Sequence, residues 1–124
     1  MIAEPVRQLI ARHIVSIEQL EILLLLREHR ARSWTPAQVN DRLQSSLQSV
    51  TARLDDLAGR GLLHRESDQF RYDASGELEA VVAELARDYR DRRYSVIDLI
   101  FSKGSDRLKV FADAFKVKKG DPNG

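Results

Sequence analysis

The stretch SSLQSVTARLDDLAGRGLL, running from Ser45 to Leu63, decides the fold. Leu47, Val50, Leu54, Leu57 and Ala58 recur at helical spacing and form an apolar stripe that must face a core. Ser45, Gln48, Ser49 and Ala52 lie on the opposite side, with Arg53 on its flank. That outer face carries short polar groups where a solvated helix ordinarily carries Glu and Lys. Gly61 stops the helix, and Leu62-Leu63 resumes as extended chain. Small hydrogen-bonding side chains at the exposed N-terminal end of such a helix suit entry into a DNA major groove. A core helix with a bland surface is the competing reading, and the flanking chain weighs between the two.

Upstream, Trp34-Thr35-Pro36-Ala37-Gln38-Val39 is a strong helix start. Thr35 caps, Pro36 fills the first helical position, Gln38 closes a capping box, and Trp34 with Val39 makes a hydrophobic staple. This helix ends near Leu43, so Gln44-Ser45-Ser46 is a tight turn into the next one. Ser16-Ile17-Glu18-Gln19 begins an earlier helix with the same grammar. It reaches about Arg30 and is apolar nearly all round, from Ile17 and Leu20 through Ile22 to Leu26, which places it at the centre. Arg27, Arg30 and Arg32 at its end suit the negative end of the helix dipole. Glu4-Pro5 opens an N-terminal helix with the stripe Val6, Leu9, Ile10, His13 and Ile14. A short amphipathic helix at a chain end is expected to bury its stripe on a second subunit.

Downstream, Leu62-Leu63-His64-Arg65 and Phe70-Arg71-Tyr72 read as two strands, with Glu66-Ser67-Asp68-Gln69 as their hairpin loop. Phe70 and Tyr72 share a face for packing on the helices, and Arg65 and Arg71 are expected to project outward. Helices at 17–31, 36–43 and 46–60 followed by this hairpin resemble the winged helix-turn-helix of bacterial transcription regulators, in particular the MarR- and PadR-like groups. The resemblance is carried by Thr35-Pro36-Ala37-Gln38-Val39, Ser49 to Leu57 (SVTARLDDL) and Gly61-Leu62-Leu63-His64-Arg65, and covers about half of the chain. It departs in two respects: the recognition helix has one Arg, and the wing tip carries Glu66 and Asp68.

Ser75-Gly76-Glu77 opens a long helix, expected over 76–103, with the seam Leu78, Val82, Leu85, Tyr89, Val96 and Leu99 or Ile100. Such a seam would outrun a domain of this size and pair with a copy of itself. A kink near Arg92 that folds Val96–Phe101 back is the competing reading. A short amphipathic helix over 105–117 and a disordered tail over 120–124 complete the expectation. The fold class is therefore mostly α with a small β-hairpin, a single winged-helix domain over 1–119 with its core at 16–75 and flanking dimerisation helices.

The 124 residues allow one domain. No apolar run reaches the ~20 residues of a bilayer span, no signal peptide is apparent, and the absence of cysteine fits a reducing cytoplasm. Net charge is +1, yet residues 27–71 hold eight arginines against six acids, a mildly basic centre. His13, His29 and His64 form no i, i+4 pair, and no nucleophile elbow or phosphate loop occurs. No enzyme, metal site or cofactor is expected.

The leading expectation is a homodimeric, sequence-specific regulator bound to double-stranded DNA. Ser45, Ser46, Gln48 and Ser49 would meet base edges or phosphates, Gln48 an adenine and Arg53 a guanine or phosphate. Thr35 and the wing residues Arg65 and Arg71 would hold the DNA backbone. A winged helix that binds protein instead is the alternative, motivated by the wing-tip acids and the near-neutral charge.

Overall fold

The computed structural model describes residues 1–102. They form α1 (Glu4–His13), α2 (Ile17–Glu28), α3 (Pro36–Leu43), α4 (Leu47–Gly59), β1 (Leu63–Glu66), β2 (Gln69–Tyr72), α5 (Gly76–Asp91) and α6 over 93–102. The chain is mostly helical with one small antiparallel hairpin. The expected helix over 105–117 and tail over 120–124 lie outside the described residues.

The start signals act largely as their chemistry dictates. Thr35 and Gln38 exchange both capping-box bonds, and Ser46 accepts from the Ser49 N–H at 3.1 Å. Ser16 accepts from the Gln19 N–H, but the Gln19 side chain returns to the Val15 N–H, one residue before the cap. Ser75 stands at the head of α5 without a side-chain capping bond.

Leu20, Ile22, Leu23 and Leu26 of α2 are fully buried, as are Val50, Leu54 and Leu57 of α4. A partly buried polar chain, anchored on the buried Gln19, orients these helices. Gln19 donates to Asp56 at 2.8 Å, Arg60 donates to the same carboxylate at 2.9 Å, and Arg60 also donates to the Arg12 carbonyl at 2.7 Å. Leaving one such group unpaired costs about 1–3 kcal/mol, so α4 is held to the α1–α2 junction by more than leucines. At its end, Leu62 N–H reaches the Leu57 carbonyl and Gly61 N–H the Ala58 carbonyl, with Gly61 at φ +82°. Glycine adopts that left-handed conformation without a Cβ clash.

The strands pair Leu63 with Tyr72, His64 with Arg71, Arg65 with Phe70 and Glu66 with Gln69. The loop is therefore only Ser67-Asp68. Trp34 adds a bridge to Phe70, exchanging N–H···O bonds of 2.7 and 2.8 Å, so the cap of α3 is fastened to the hairpin.

Two expectations are corrected here. Leu47, placed in the inward stripe, is 52% exposed, because residues 45–48 all stand clear of the core. The helix expected over 76–103 breaks at Arg92, which leaves helical geometry at φ −134°, ψ 50°. A continuous helix would carry Arg92 and Arg93 along the apolar seam. The break leaves both exposed and returns Val96 and Ile100 to the core. The terminal helices, expected to pair with a second copy, bury most of their apolar residues on their own chain. Val82, Leu85, Tyr89, Val96 and Ile100 are buried within the single chain, as are Val6, Leu9, Ile10 and Ile14 of the N-terminal segment, where α1 packs on α5. Those residues are covered by the chain itself, while Phe101 stays 65% exposed and Leu78 and Leu99 are only partly buried.

Candidate nucleic-acid interface

Three consecutive pieces of local structure build the surface around the start of α4. Thr35 caps α3 while Arg32 donates to Gln38 Oε1 at 3.1 Å, the oxygen that also accepts from Thr35 N–H at 3.0 Å. A cation and a hydroxyl thus stand together at the positive end of a helix dipole, a setting that favours an anion. Arg32 is steadied by the Trp34 ring, 3.8 Å from its guanidinium carbon. Next, Gln44 turns the chain with a left-handed φ of 58°, and Asn40 Oδ1 accepts from the Ser45 N–H at 3.0 Å. Ser46 then caps α4, which leaves Leu47, Gln48 and Ala52 exposed.

Ser45, Ser49 and Arg53, spaced four apart, converge on Glu18 in the first turn of α2. Both serine hydroxyls donate to the Glu18 carboxylate, Ser49 at 2.5 Å, and Arg53 Nε lies 3.7 Å from it. Burial raises the Glu18 pKa, but the two hydroxyls and the Arg53 charge outweigh it and hold the group below the usual glutamate value. An ionised carboxylate therefore occupies the stripe read from sequence as groove-facing. The outer face of α4 is displaced by about one residue, to Gln48 and Ala52 flanked by Leu47 and Thr51.

The hairpin arginines separate as well. Strand pairing puts Arg65 on the Phe70 side of the hairpin and Arg71 on the opposite, His64 side. Arg65 folds back over Phe70, 5.5 Å from the ring centroid, and donates to Asp55 at 2.9 Å. Arg71 is exposed. The two do not project together, which corrects the expectation for Arg65.

Thr35, Ser46, Gln48 and Arg71 thus remain accessible with their groups at the surface, while Ser45, Ser49, Arg53 and Arg65 are engaged by acids of the chain itself. Sequence reasoning missed Glu18, because 27 residues separate it from Ser45 and only the tertiary fold brings them together. It missed Leu47 as a surface group because periodicity marks a stripe without showing where the core beneath it ends.

Among the described residues, no group of three His, Asp or Glu side chains is placed to hold a metal ion, and no helix is long and apolar enough to cross a membrane. Comparison with known family models, with characterised proteins and with solved structures finds no match for this chain.

Proposed function

We propose that the chain is a winged-helix module that binds double-stranded DNA in a sequence-dependent manner, with α4 in the major groove and the β1–β2 hairpin as wing. The exposed Leu47–Gln48–Ala52 face at the start of α4 carries this reading, because nothing in the described chain covers it. Gln48 is the group suited to an adenine edge. Thr35, Arg32 and Arg71 suit phosphates. Arg65 can join them by exchanging partners, since an exposed ion pair such as Arg65–Asp55 is worth only about 0–1 kcal/mol, whereas Arg53 is held by the part-buried Glu18.

The test is a titration of the full chain onto labelled genomic fragments at rising salt. With three or four phosphates neutralised per chain, the logarithm of affinity should fall against that of salt with a slope of about −3. Arg71→Ala should reduce the slope by about one, and Gln48→Ala should erase preference among fragments while leaving the slope intact. Failure to bind any fragment at low salt overturns the proposal. In that case the separation of Arg65 from Arg71 and the acid at Glu18 favour the second reading, a winged helix that binds protein.

A further inference from the structure

Leu47 is exposed at the first helical position of α4, directly before Gln48. Among the described residues the other large apolar side chains left exposed are Met1, Tyr94 and Phe101, none of them on this helix. The neighbour of Leu47 one turn on is Thr51, whose hydroxyl donates to the Leu47 carbonyl at 2.7 Å. With its hydroxyl proton committed to the backbone, Thr51 has no donor left and offers a ligand its methyl group beside an acceptor oxygen. Leu47 and the Thr51 methyl therefore form a narrow apolar strip alongside Gln48 and Ala52.

The strip is too small for a protein partner to rest on, because stable protein interfaces bury about 800 Å² on each side. A base edge needs far less. In the major groove thymine is distinguished by its C5 methyl, which is recognised by apolar contact. We infer that Leu47, assisted by Thr51, reads the C5 methyl of a thymine adjacent to the adenine taken by Gln48, so that the preferred site contains an A·T-rich step. This rests on the DNA-binding reading and specifies which bases that reading selects.

The test uses duplexes recovered by the full chain from a random-sequence pool. Each thymidine in the recovered site is replaced in turn by deoxyuridine, which pairs identically but lacks the methyl group, and affinity is followed by fluorescence anisotropy. One position should lose about fourfold in affinity, the worth of one buried methyl group. Leu47→Ala, whose folding is checked by circular dichroism, should bind the thymidine and deoxyuridine duplexes equally. Binding that is indifferent to every deoxyuridine overturns the inference but leaves the DNA-binding reading standing. A deoxyuridine penalty that persists in Leu47→Ala assigns the methyl contact elsewhere. Unchanged affinity of Leu47→Ala for both duplexes does the same, whereas absence of any selected duplex overturns both readings.

Discussion

Glu18 decides more about the candidate interface than any of the polar groups around it. It is ionised, lies beside the first turn of α4 where a helix dipole favours an anion, and orders Ser45, Ser49 and Arg53. It also sets a negative charge near the path that the proposed interface gives a phosphate backbone. At a separation of ~7 Å, in a medium between water and protein, that repulsion is worth about 1 kcal/mol. Glu18→Gln should therefore tighten binding to DNA roughly fivefold at low salt, with the gain shrinking as salt is added. Titrations of the two proteins onto one duplex measure this directly. A weaker Glu18→Gln variant would mean that the carboxylate serves mainly to position the helix. No sequence pattern announces such a residue. In the chain it is simply the second residue of a well-capped helix, and its consequence exists only because α2 and the α3–α4 turn meet.

At the scale of elements, local grammar was the legible part. Thr35, Pro36 and Gln38 identify the start of α3, Gly61 the end of α4, and the alternation of Phe70 and Tyr72 the inner face of β2, each through chemistry confined to a few residues. Joints between distant elements were not legible in the same way. Arg27, read as a partner of its own helix dipole, instead makes a two-pronged contact with Glu79 of α5, at 3.1 and 2.9 Å. Tyr72 of β2 donates to the same carboxylate at 2.5 Å, so three elements meet on one acid. The Arg27 bonds, foremost, and the Tyr72 hydroxyl lower the Glu79 pKa to about 2 against their partial burial. A depressed carboxylate stabilises the fold fully above its ordinary value near 4.5 and progressively less as pH falls toward 2. The contribution is on the order of 2 kcal/mol, given that the pair is mostly shielded from solvent. Urea unfolding measured from pH 7 down to about 2.5 should show this loss, and Glu79→Gln should be less stable at neutral pH and flatter across the acid range. An acid limb of the same steepness in the variant would remove Glu79 from the joint.

For the whole molecule, the terminal helices are where periodicity alone leaves two readings. A seam of Val82, Leu85, Tyr89 and Val96 looks the same in sequence whether a second copy or the parent domain covers it. What separates the two is the backbone at Arg92, where the break turns α6 so that Val96 and Ile100 are buried against their own chain. The competing kink, raised on the strength of Arg92 and Arg93, was therefore the better guide. If the seam belongs to the single-chain core, a cavity there weakens folding of each chain by itself. Val96→Ala removes two methyl groups from a fully buried site and should cost about 2 kcal/mol, a fall in Tm of roughly 10 °C. That fall should be the same at every protein concentration. A seam shared between copies would instead make Tm rise with concentration in the parent protein, because association stabilises by mass action, and the variant would dissociate before it unfolds. Thermal melts across a hundredfold dilution series, paired with sedimentation of both proteins, separate the two outcomes. A concentration-dependent Tm that Val96→Ala abolishes would return the seam to the role its spacing suggests.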